Sequence, residues 1–191
     1  MELAALRTGQ ILNQSNLARD ASLSQPTLHR CLNLLQVTLL FELLPAFLKN
    51  RTRRLVKSPK AFWNDPGLPI FLSGIFDDEA LRGTRQIGDF FENLIFHHLR
   101  VLTDLMVPSA RLYYWRTRTG KEVDFIVEHG RKLLAIETKF SSHVHLRDAD
   151  NLYAFLDEYP EAVGGLILYN VNQIHRLGEK IFAAPWFMIT G

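Results

Sequence analysis

Apolar and polar positions follow a helical period in some stretches of the chain and a strand period in others, and their order outlines the fold. Residues 25–36 place Leu28, Cys31, Leu32 and Leu35 on one buried stripe. Ser24 stands where a cap belongs, and Pro26 falls in the first turn, where a missing N–H is tolerated. A shorter helix over residues 17–21 and a tight turn over 22–24 precede it, giving a helix-turn-helix pattern. Two strands follow, over residues 37–47 and 55–63. Farther on, Phe90, Phe91, Leu94, Ile95, Leu99 and Leu102 form a second helical stripe over residues 87–103. Short apolar runs then predict strands over residues 112–116, 122–128 and 132–139, the last two joined by a turn around Gly130. A helix over residues 146–159 and a strand over 165–170 complete the order.

Helix, three strands, helix, strand is the order of a mixed sheet with helices on its faces, because a parallel return requires a crossover. The predicted fold class is therefore α/β (α+β): an N-terminal winged helix-turn-helix over residues 1–75, then an αβββαβ domain over residues 76–191. The boundary lies between about residues 75 and 85. Pro66, Gly67 and Pro69 break the preceding pattern there, and the polar run from Asp77 to Gly83 reads as a loop.

The candidate chemistry sits at strand ends. Asp124 lies thirteen residues before Glu137, and Lys139 follows Glu137 by two, so Glu137 and Lys139 share one face of their strand. Two carboxylates brought together at neighbouring strand ends suit Mg²⁺ or Mn²⁺, which prefer oxygen ligands and retain waters. A cation held there would neutralise phosphoryl charge and lower the pKa of a bound water, the chemistry of a metal-dependent phosphodiester nuclease. The plainer account is an ion pair between Lys139 and Asp124 or Glu137 that needs neither metal nor substrate. Glu122 and Glu128 share the strand parity of Asp124 and read as exposed ends. His97 and His98 are adjacent on a helix and diverge by about 100°, which disfavours chelation of one ion. Tyr113, Tyr114 and Trp115 read as sheet packing with one ring facing outward.

Charge is uneven along the chain. Residues 1–65 hold nine Lys and Arg against four Asp and Glu, although the formal net charge of the 191-residue chain is only +2. The basic end is where a polyanion would bind. Gln25, Thr27, His29 and Arg30 lie on the polar side of the second helix, and Lys49, Arg51, Arg53 and Arg54 cluster in the connector between the two strands. These eight residues are the candidate nucleic-acid contacts, with DNA the expected partner. Helix-turn-helix units also serve as protein-docking modules.

With these residues in view, residues 85–172 resemble the PD-(D/E)XK restriction-endonuclease-like superfamily. The resemblance implies that Asp124 is the aspartate of the motif, Glu137 its second acidic residue and Lys139 its lysine. It adds Glu92 as the acidic residue of the first core helix, so that Glu92, Asp124, Glu137 and Lys139 form the catalytic set. The metal ligands are then Asp124, Glu137 and Glu92. The whole chain also resembles the C-terminal part of a group of prokaryotic AAA+ family ATPases, in which a winged helix precedes a nuclease-like domain. The segments carrying that likeness are Leu17-Ala-Arg-Asp20, Ser24-Gln-Pro-Thr27, Lys57-Ser-Pro-Lys60, Asn64-Asp-Pro-Gly-Leu68, Phe91-Glu-Asn-Leu94, Tyr114-Trp-Arg-Thr117 and Glu122-Val-Asp-Phe125. No segment fits the phosphate-binding G-x-x-x-x-G-K-[ST] pattern, so ATPase activity is not expected of this chain by itself. The expectation is a fragment of such a protein, or one that has lost the motor. An ATPase module or a second copy of the chain is then a possible partner, and an inactive docking module is the rival to the nuclease.

Composition narrows the setting. The apolar fraction of 47% is ordinary for a globular protein, and charge interrupts every apolar stretch before the length a membrane helix needs. The N-terminus has neither the basic start nor the apolar segment of a secretory signal, and the single cysteine, Cys31, excludes an internal disulfide and reads as buried filler. A cytoplasmic location without membrane contact is expected.

Overall fold

Short polar side chains open two helices of the N-terminal part. The computed structural model describes residues 1–49 and 57–189. After a single turn, α1 (Glu2–Ala5), the Asn13 side chain accepts from the Asn16 N–H and starts α2 (Gln14–Asp20). Ser24 caps α3 (Gln25–Val37) in the same way through the Thr27 N–H. Strands β1 (Phe41–Leu44) and β2 (Lys60–Trp63) pair antiparallel, with Phe41 opposite Trp63. Two successive helices and a strand pair are thus present, with β1 and β2 four residues each.

Cys31 is exposed, contrary to expectation. The seam that α3 buries runs through Leu28 and Leu32, and Cys31 lies about 60° around the helix from Leu28, at the edge of that seam. The prolines and the polar run before residue 85 form helices too, α4 (Gly67–Leu72) and α5 (Asp78–Gly83). Pro69 sits in the first turn of α4, where its missing N–H costs no helical bond. Asp77 caps α5 by accepting from the Ala80 N–H at 2.8 Å, and Asp78 and Glu79 suit the positive end of that helix. The polarity that read as a loop belongs to a capped helix start.

The larger sheet begins after the long helix α6 (Ile87–Leu105). Its strands are β3 (Arg111–Arg116), β4 (Glu122–His129), β5 (Lys132–Lys139), β6 (Gly164–Tyr169), β7 (His175–Arg176) and β8 (Ile181–Pro185). They stand in the order β3-β4-β5-β6-β8-β7. Strands β3, β4 and β5 form an antiparallel meander, and β6 returns parallel to β5 after a 3₁₀ turn (Leu146–Ala149) and α7 (Asp150–Glu158). The mixed sheet matches the expected fold class, and β7 and β8 extend it.

Both faces of the sheet are covered. Trp115, Ile126 and Ile167 meet Leu152 and Phe155 of α7 on one side. Tyr114, Phe125 and Ile136 meet Phe91, Ile95 and Phe96 of α6 on the other. Tyr113, Tyr114 and Trp115 are therefore all buried, and no ring of the three faces outward as predicted.

The small strand pair is joined to this core. Its Phe62 stacks on Phe96 of α6 with ring centroids 4.3 Å apart, and Phe47, just beyond β1, donates its N–H to the Tyr114 carbonyl at 2.6 Å. On β2 the neighbouring residues Ala61 and Trp63 face the opposite way, into a third cluster with Leu28, Leu32 and Phe41. Strand alternation then fixes Lys60: it shares the side of Phe62 and points toward α6.

Candidate functional site

Lys60 reaches Glu92 of α6, one turn from Phe96, the residue against which Phe62 stacks. Its ammonium lies 2.8 Å from Glu92 Oε1, 2.6 Å from Glu122 Oε1 and 3.8 Å from Asp124 Oδ1, and the lysine is only 2% exposed. Arg116 Nη1 approaches the other Glu122 oxygen at 3.3 Å. Next along α6, the buried Asn93 accepts from the Trp63 N–H at 2.8 Å, donates to the Trp63 carbonyl at 3.0 Å and accepts from Thr8 Oγ1 at 2.7 Å. Adjacent residues of α6 thus pin both ends of β2.

Asp124 owes its direction to an irregularity in its strand. Tyr113 stands opposite Ile126, yet Trp115 stands opposite Val123, so β4 spends one more residue than β3 over that interval. Such a bulge re-aims side chains and recurs next to active sites. Asp124 Oδ2 accepts from the N–H and Oγ1 of Thr138 at 2.8 and 2.9 Å, which leaves Oδ1 as the oxygen nearer Lys60. Glu137 of β5 is buried and accepts from Asn151 Nδ2 of α7 at 3.1 Å.

Two clefts meet at this cluster. One, of about 300 Å³, is lined by Glu92, Asp124, Glu137, Thr138 and Lys139. The other, of about 460 Å³, is lined by Lys60, Asp89, Glu92, Arg116, Glu122 and Asp124. Glu92 and Asp124 border both. The loop at Gly9 closes over Glu92, and a side chain there would begin 3.0 Å from Glu92 Oε2 on a backbone with φ of +71°.

Three carboxyls, those of Glu92, Glu122 and Asp124, pair with one buried ammonium, and with Glu137 beside Asp124 they cannot all ionise cheaply. Burial pushes Glu92 up to about 8, with Asp124 and Glu122 adding to the rise and Lys60 opposing it. Burial also lifts Glu137 well above the ordinary carboxyl range, reinforced by the charge of Asp124 and a hydrogen bond with it. Burial alone would lower Lys60, but Glu92, Asp124 and Glu122 outweigh it and hold the ammonium above the usual lysine range. Burial and mutual repulsion therefore favour the protonated forms of Glu92 and Glu137 and the charged form of Lys60.

The structure places Glu92, Asp124, Glu137 and Lys139 along one cleft. Lys60, Glu122, Thr138 and Asn151 were not foreseen as members. The signal for Lys60 was a lone charge two residues before Phe62, at the start of an apolar strand. Glu122, read as an exposed end, is drawn in by Lys60 and Arg116. Donor chemistry fits a hard divalent cation between Asp124 and Glu137, with waters or a phosphate completing its shell. Among the described residues, no three His, Cys, Asp or Glu side chains stand at ion-binding spacing. His97 and His98 have ring centroids 5.7 Å apart with planes 72° apart.

The described candidate nucleic-acid residues lie on α3 and at Lys49. Gln25, His29 and Arg30 are exposed on α3 and Thr27 is half-buried. Gln25 donates to Ser15 Oγ at 2.9 Å, and Thr27 Oγ1 lies 2.8 Å from Ser24 Oγ. Lys49 borders a separate cleft with Glu128, Arg131 and Glu161. Arg51, Arg53 and Arg54 lie outside the described residues.

Fold and site together define an α+β protein with a buried carboxylate–lysine cluster assembled from both halves of the chain. The chain belongs to the family described as domain of unknown function DUF4143, whose model matches residues 87–189. Residues 1–79 match a second domain of unknown function, DUF8612. The chain is 34% identical over 134 residues to an uncharacterized protein of Mycobacterium bovis and to one of Mycobacterium tuberculosis. That stretch covers 70% of this chain and 30% of each relative, so the match spans less than a third of their length. Among the described residues, no helix is long and apolar enough to cross a membrane.

Proposed function

We propose that this chain is a DNA-associated protein whose C-terminal half carries a divalent-metal-dependent, phosphodiester-hydrolysing site of the PD-(D/E)XK type. The observation that carries this reading is the convergence of Asp124 and Glu137 with Lys139 on one cleft, with Asp124 turned by the bulge and Glu137 steadied by Asn151. Asp124 and Glu137 would hold Mg²⁺ or Mn²⁺, and the ion would supply charge neutralisation at the phosphate and a more acidic bound water. Glu92 borders the same cleft but is engaged by Lys60, which makes it an outer member of the set. Lys139 orients the attacking water from the strand position two residues beyond Glu137.

Helices α2 and α3 with the β1–β2 hairpin act as a winged helix that positions the site on nucleic acid. The exposed Gln25, His29 and Arg30 face the duplex together with Thr27, and Lys49, Arg51, Arg53 and Arg54 supply phosphate contacts. The cytoplasm is the proposed location. A second reading has its own support: the ion pairs of Lys60 already satisfy much of the carboxylate charge without a metal. Under it, the chain is an inactive nuclease-fold module that docks on an AAA+ ATPase or on another copy of itself.

Cleavage of supercoiled plasmid and single-stranded DNA with Mn²⁺, beside an identically prepared Asp124→Ala/Glu137→Ala variant, separates the two readings. Cleavage lost in the variant supports the enzyme, whereas no cleavage by either protein, or equal cleavage by both, removes it in favour of the docking module.

A further inference from the structure

We infer that Lys60 is a positioning residue that sets how tightly the Asp124–Glu137 pair holds a divalent ion, an inference that rests on the proposed metal site. Asp124 Oδ2 already accepts two hydrogen bonds from Thr138, which leaves Oδ1 as the freer oxygen for an ion shared with Glu137. That same oxygen faces the Lys60 ammonium at 3.8 Å. An incoming cation and the lysine therefore compete for one oxygen and repel each other across it.

The ammonium cannot swing away to relieve the conflict. It is buried, and Glu92 Oε1 and Glu122 Oε1 hold it at 2.8 and 2.6 Å. The strand beneath is fixed by the two Asn93 bonds to Trp63 and by the stack of Phe62 on Phe96. Lys60 also takes Glu92 out of the ligand set by engaging the oxygen that points into the cluster. The N-terminal half of the chain thus contributes a permanent positive charge to a site whose carboxylates beyond Lys60 all come from the C-terminal half.

Calorimetric titration with Mn²⁺ tests this on the full chain, comparing the unmodified protein with Lys60→Met, Lys60→Arg and Asp124→Ala. Loss of the charge in Lys60→Met is expected to tighten Mn²⁺ binding by about tenfold or more, and Lys60→Arg to stay within about threefold of the unmodified protein. A residue that only supports the fold would weaken binding when removed. Unchanged or weaker binding by a folded Lys60→Met, with binding by the unmodified protein still dependent on Asp124, overturns the role of Lys60 and leaves the metal site standing. No titration by either protein removes the metal site and this inference together. Should Lys60→Met fail to fold by circular dichroism, Lys60→Gln replaces it with the same expectations, because its amide can still donate to Glu92 and Glu122 without a charge.

Discussion

At the scale of single residues, the site is governed by how burial and neighbouring charge distribute protons. Glu137 is held above the unfolded carboxyl value of 4.5. Between that value and its raised folded value, the folded chain keeps a proton that the unfolded chain has released. Stability therefore falls as pH rises through this window, and Glu92, pushed up to about 8, acts in the same sense. Glu137→Gln removes one such group while its amide oxygen can still accept from Asn151. The variant should be more stable than the unmodified chain near pH 8, with the advantage shrinking toward about pH 5, in urea titrations at the two pH values. An advantage of the same size at both would contradict the protonated reading of Glu137. Asn93 is a structural counterpart, fully buried with bonds to Trp63 and Thr8. Asn93→Ala leaves those groups unpaired and should cost roughly 2–4 kcal/mol, measured by chemical denaturation. Asp124, Glu137 and Lys139 were legible in the sequence because their spacing places them on two strands joined by one turn. Lys60 and Asn151 were not, since they arrive from a separate hairpin and the crossover helix, which no local spacing connects to the motif.

At the scale of elements, strand β2 is the hinge of the architecture. One side carries Lys60 and Phe62 toward α6, and the other carries Ala61 and Trp63 into the N-terminal cluster. Phe62 is fully buried against Phe96 and Phe125, so Phe62→Ala should destabilise the protein by about 3–5 kcal/mol through lost burial and an unfilled cavity. Because the same strand serves both clusters, calorimetry should show the loss as a lower temperature for one common transition. Two separated transitions would contradict the shared core. The periodicities of α3, α6 and β3–β6 were readable because each element has a face committed to a core. The capped helix at Asp78–Gly83 was not, since α5 buries no residue and leaves only its Asp77 cap as a signal. The bulge at Asp124 was hidden for a different reason: it is a relation between β3 and β4, and neither strand shows it alone.

At the scale of the whole molecule, the two halves meet in both the hydrophobic core and the charged cluster, so site geometry depends on how the hairpin sits against α6. On that geometry rests the proposal that the Asp124–Glu137 pair binds a divalent cation. The most direct measurement is the melting temperature of the chain with and without Mn²⁺, alongside Asp124→Ala. An ion that binds only the folded state, at about 100 times its Kd, adds about 2.7 kcal/mol, which corresponds to a rise of roughly 5 °C or more for a chain of this size. The unmodified protein should show that rise, and Asp124→Ala should lose it. No rise in the unmodified protein, or an equal rise in both, would contradict the proposal.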